Sequence, residues 1–165
     1  MKKSIIITFV VGWVFAIQAT FAQSTATQSV NLTVSTVYKI STSGNPSALT
    51  VTTGTAGTDA LTSVSDNSTT YSITQNFGNT VKITANLDAV LQAGYTLNIN
   101  LASTMGTSAG TINISNATSA SALSVVTGIN RGADAAKTIS YTFAALASAG
   151  MLTSTTRTVT LTLTN

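Results

Sequence analysis

The chain contains no cysteine, no histidine and no glutamate, and only one proline, Pro46. Without cysteine no disulfide forms, so stability must come from a packed core and hydrogen-bonded ladders. Zinc and copper centres lose their usual imidazole and sulfur ligands. General acid–base catalysis loses the side chains most often tuned towards neutral pH. The four acids are Asp59, Asp66, Asp88 and Asp134, and nothing in their spacing brings two carboxylates together. Serines and threonines abound, but a hydroxyl nucleophile needs a base beside it. The chain is therefore expected not to be an enzyme and to hold no cofactor.

Charge is also scarce, at 7% of residues. Beyond Lys2 and Lys3 the cations are Lys39, Lys82, Arg131, Lys137 and Arg157, which against four aspartates leave a net charge of +1. They form no cluster, so nucleic acid and anionic membrane surfaces are not expected partners.

Lys2 and Lys3 precede an apolar run from Ile5 to Ile17 broken only by Thr8 and Gly12. Thr20-Phe21-Ala22 follows with small residues where a signal peptidase inspects the chain, which predicts cleavage between Ala22 and Gln23. The run is short for a membrane span and no second one follows, so the mature chain is expected to carry none. Residues 1–22 read as a signal peptide and 23–165 as one exported domain.

That domain is rich in Thr, Ser, Gly, Ala and Asn, with apolar residues on alternate positions. Tyr71, Ile73 and Phe77 share one face; Val81, Ile83, Ala85 and Leu87 follow, then Tyr95, Leu97, Ile99 and Leu101. Ile112 and Ile114, Leu123 to Ile129, Ile139 with Tyr141 and Phe143, and Val159 with Leu161 and Leu163 complete the set. Leu49 and Val51 suggest a further strand, and Asn86–Gly94 and Phe143–Leu152 a helical turn each. About nine or ten short strands with one wet and one dry face predict an all-β, antiparallel sandwich.

Other readings are weaker. "TDALTSVSDNS" and "NRGADAA" offer oxygen ligands for calcium but lack any recognised loop motif. Thr158, Thr160, Thr162 and Thr164 form a rank without the internal repeats an ice-ordering face needs. Lys39 and Lys82 share the wet face of their strands, while Lys137 and Arg157 sit at expected strand starts as guards of a sheet end, so an internal crosslink has little support. A membrane barrel would need two aromatic girdles, and aromatics are only 6% of the chain.

The stretch "SVNLTVSTVYKI" keeps one apolar parity from Val30 through Leu32 and Val34 to Tyr38 and Ile40. As one strand it would run roughly 36 Å, longer than most strands of a sandwich. Two pieces are simpler: "TVYKIS" in the domain's sheet, and an arm, residues 23–34, ahead of a sandwich over residues 35–165. The arm's apolar side chains find cover at the domain's own edge or in a neighbouring copy.

A signal peptide, a short polar lead ("QSTATQ"), an alternating arm ("SVNLTV") and an apolar C-terminal strand ("TVTLTLT") resemble bacterial fimbrial subunits of the chaperone–usher type, especially cysteine-free colonisation-factor pilins. The resemblance implies an immunoglobulin-like sandwich lacking one strand, with Val30, Leu32 and Val34 donated to the next copy in a head-to-tail homopolymer. It further implies a periplasmic chaperone and an outer-membrane usher as assembly partners, and a fimbria at the cell surface. The alternative expectation is a monomeric secreted module that binds a glycan or host surface through its loops.

Overall fold

The computed structural model describes residues 24–165. The expected cleavage point at Ala22 and Gln23, like the rest of the expected signal peptide, lies outside them. Two units are distinguished, residues 1–33 and the folded domain from Val34 to Asn165.

Alternation drives the domain's layers. β1 (Tyr38–Thr42), β2 (Val64–Gln75), β3 (Val81–Leu87), β4 (Tyr95–Leu101), β5 (Thr107–Ser108), β6 (Ile112–Asn113), β7 (Leu123–Ile129), β8 (Gly132–Ala145) and β9 (Val159–Thr164) follow in chain order. Every pairing is antiparallel; one sheet runs β1-β2-β8-β4-β6 and the other β5-β7-β3-β9. Each strand turns its apolar parity inward: Tyr71 and Ile73, Ile83 and Ala85, Ile99 and Leu101, Ile139 and Tyr141 meet in one core. Threonine, serine and asparagine occupy the opposite parity, where a branched or polar side chain suits a solvated pleat. The all-β sandwich expected from the pattern is the architecture observed.

Three details differ from expectation. Leu49 and Val51 belong to no strand, although Leu49 still packs on the core. Residues 86–94 make no helical turn, because β3 holds the chain to Leu87 and a turn at Ala93–Gly94, with Gly94 at φ +89°, leads straight into β4. Lys137 does not start a strand but lies inside β8, where a bulge changes the parity. Between the pairs Tyr71↔Lys137 and Ile73↔Asp134, β8 advances three residues while β2 advances two. Ala136, at φ +51°, takes up the irregularity and donates its N–H to Ser72 Oγ at 3.0 Å.

Candidate functional site

The two flanks of the sandwich are unequally finished. At one flank, β4 and β7 approach each other, and the short strands β6 and β5 cap their sheets. Ile99, Leu101, Ile114, Val125 and Val126 are all fully buried there. At the other flank, β1 and β9 lie beside each other, each the last strand of its sheet, with no hydrogen-bonded ladder between them. Tyr38, Ile40, Val159, Leu161 and Leu163 point inward there, pack on the core, and stay only partly covered. The Tyr38 ring lies 5.3 Å from that of Phe77, so an aromatic pair adds to this apolar surface.

The backbone of β9 carries a matching deficiency. Thr158 O accepts from Asp88 N at 3.0 Å, which turns the polar groups of Thr158 towards β3. In a regular antiparallel ladder the sides alternate, so Thr160, Thr162 and Thr164 also bond to β3. Val159, Leu161 and Leu163 then present their N–H and C=O groups to the open side, where no strand among the described residues pairs with them. Natural edge strands are usually guarded by a lysine, a proline or a bulge. "VTLTLT" has none of these, and its register with β3 runs unbroken from Lys82↔Thr164 to Leu87↔Val159.

Residues 24–37, ahead of β1, form no strand. Val30, Leu32 and Val34, the expected donor residues, are 71%, 88% and 86% exposed. Three large apolar side chains on alternate positions, all in solvent, are an unusual cost for an isolated chain. Alternation in the sequence revealed the inward parity of β9, but not the incomplete cover over Leu161 and Leu163. That depends on where β1 stops, and no local pattern encodes it.

The aspartates do not converge; each serves a different local structure. Asp59 accepts from Ser148 N and Oγ, both at 2.8 Å, and Asp88 accepts from Thr158 N at 3.0 Å. Asp66 accepts from Ser68 Oγ and N, and the side-chain bond above all lowers its pKa. Asp134, turned inward by the β8 bulge, is 2% exposed and fully engaged. It accepts from Thr104 N at 2.8 Å, Thr104 Oγ1 at 2.7 Å and Ser103 Oγ at 3.1 Å, and Lys137 Nζ lies 3.1 Å away. Burial pushes its carboxyl up, but the bonds from Thr104, Lys137 and Ser103 outweigh it and hold the pKa at about 2. The charge so satisfied is a structural rivet: it fixes the turn after β4 that leads into β5, on the finished flank.

One cavity, of about 420 Å³, is open to solvent and lined by Gln92, Tyr95, Met151, Ser154, Thr155 and Arg157 among others. A second, of about 300 Å³, shares Leu91, Gln92 and Tyr95 and reaches Asn113 and Asn116. Amides and hydroxyls dominate this furrow. The one aromatic in it, Tyr95, is buried and donates its hydroxyl to Ala149 O at 3.1 Å, so no ring lies flat for a sugar to stack on. No group of three potential metal ligands from His, Cys, Asp or Glu occurs among the described residues, and no helix among them is long and apolar enough to cross a membrane.

No family model, no curated protein and no solved structure matches the chain.

Proposed function

We propose that the protein is an exported structural subunit that polymerises by strand donation, the arm of one copy completing the β1/β9 flank of the next. The observation that carries this reading is an unguarded edge strand, β9, whose inward leucines are only partly buried, in a chain that also exposes Val30, Leu32 and Val34. Donor and acceptor share a period of two residues, so each apolar side chain of the arm has a place between inward residues of the acceptor. Burying the three is worth roughly 5–9 kcal/mol, and new ladder bonds to β9 add about 1 kcal/mol each.

A contact between two different surfaces of the same molecule does not close on itself, so it builds filaments. Scarce charge and few aromatics leave common proteases little to cut, as suits a surface fibre. The immunoglobulin-like type of sandwich, the fimbrial setting, and a chaperone and usher as assembly partners belong to the same reading and rest on the resemblance in layout.

The test compares two versions of the chain. One beginning at Gln23 should give polymers, and one beginning at Ser35 should give monomers of lower stability. A synthetic peptide of residues 24–36 should bind the shorter version and raise its melting temperature. A stable monomer from the longer version, with its arm protected from proteolysis, would return the arm to its own domain and end the proposal.

A further inference from the structure

We infer that Asn76 is a positioning residue that clasps the segment Ser35–Val37 at the root of the arm and so favours donation to a neighbour over self-pairing; the inference rests on the strand-donation reading. The last ladder pair between β1 and β2 is Tyr38↔Gln75. Beyond it, β2 has ended, and Asn76 takes over. Its backbone N–H donates to Val37 O at 3.2 Å. Its side-chain Oδ1 accepts from Val37 N at 2.6 Å, and Nδ2 donates to Ser35 O at 2.9 Å. One primary amide carries both a donor and an acceptor, the same pair a backbone peptide group offers. The side chain thus stands in for the next rung of the ladder and carries the line of β1 back to Ser35.

The consequence is directional. To cover its own flank, the arm must turn back between Val34 and β1, within three or four residues. The clasp holds Ser35 and Val37, the residues that would make that turn, along the end of β2. Released from it, the segment "STV" regains the freedom to bend, and a self-paired arm becomes accessible. Asn76 is itself exposed, so no core packing explains its three bonds, and its replacement is expected to leave the sandwich intact.

The absence of native cysteine gives the test a clean background. In the chain from Gln23 onward, Leu32→Cys and Leu161→Cys place one thiol on the arm and one on β9. Oxidation then records which molecule the arm has met: a ladder of covalent multimers for donation, a crosslinked monomer for self-pairing. With Asn76 present, the ladder is expected. Asn76→Ala should raise the ratio of crosslinked monomer to multimer roughly tenfold. Asn76→Asp, which keeps the acceptor for Val37 N but loses the donor to Ser35 O, should fall between. A ratio that stays the same in all three overturns the role of Asn76 and leaves donation standing. Crosslinked monomer alone, or no crosslink, in the Asn76 protein overturns donation and the inference with it.

Discussion

The two flanks of this sandwich are built from the same kinds of residue, yet one is sealed and the other is open. Ile99, Leu101 and Ile114 on the β4/β6 side are fully buried, whereas Ile40, Leu161 and Leu163 on the β1/β9 side are not. Composition does not separate them. On the sealed flank the chain continues past β4 and places Ile112, Ile114 and Met105 over the inward rows, with Asp134 holding the turn. On the open flank no strand among the described residues pairs with the outer side of β1 or β9, and residues 24–37 form no strand. In the strand-donation reading proposed above, the open flank is where the arm of the next copy would pair.

The contrast is sharpest for core truncation. Ile99→Ala should cost about 2–5 kcal/mol, because a fully buried side chain leaves a cavity that its neighbours fill only in part. Leu163→Ala should cost less, about 1–2 kcal/mol in the chain beginning at Ser35, since its side chain is only partly buried. Denaturant unfolding of that shorter chain measures both. Equal costs would mean that the β9 side is as closed as the other and would remove the basis for an acceptor groove.

Leu161→Lys separates folding from assembly. A lysine directed into the open flank guards the edge as natural edge strands are guarded. The monomer should remain folded by circular dichroism, while the polymer fraction in sedimentation falls at least tenfold. Polymer at the original level would place the contact on another surface.

Asp134 tests what keeps the sealed flank sealed. Its folded pKa, about 2, lies below the ordinary 3.8. Its stabilising effect is therefore fully present above about pH 4 and is lost as pH falls through 2. The shift corresponds to a contribution on the order of 2 kcal/mol at neutral pH. Asp134→Asn should unfold more easily by about that amount at pH 7, and the gap between variant and parent should close by pH 2. The smallest effect belongs to Thr160→Ala, on the wet face of β9. It should change stability by less than about 0.5 kcal/mol and leave polymer yield unaltered.

These comparisons also mark how far the sequence could be read. Period-two alternation named the inward residues of β3, β4, β8 and β9 almost without error, because a pleat sends successive side chains to opposite faces. It placed Leu49 and Val51 in a strand they do not form, since two alternate apolar residues without a pairing partner do not make a ladder. It also left Asp134 unplaced. By parity with Ile139 and Tyr141 that carboxylate belongs on the wet face, and only the extra residue at the β8 bulge turns it inward. Asn76 gave no local signal either: in "YSITQNF" it reads as one more wet-face residue beside Ser72 and Thr74, and its bonds to Ser35 and Val37 span about forty positions.

By itself the sequence determined the class of the molecule: alternation of apolar with hydroxyl and amide side chains yields two-faced strands, and two-faced strands bury their dry sides against each other. Tertiary structure alone decided which strands became edges, where Asp134 points, and which flank stayed uncovered. Those outcomes depend on pairing between segments far apart in the chain, where one bulge or one missing neighbour changes what a side chain meets without changing the local pattern.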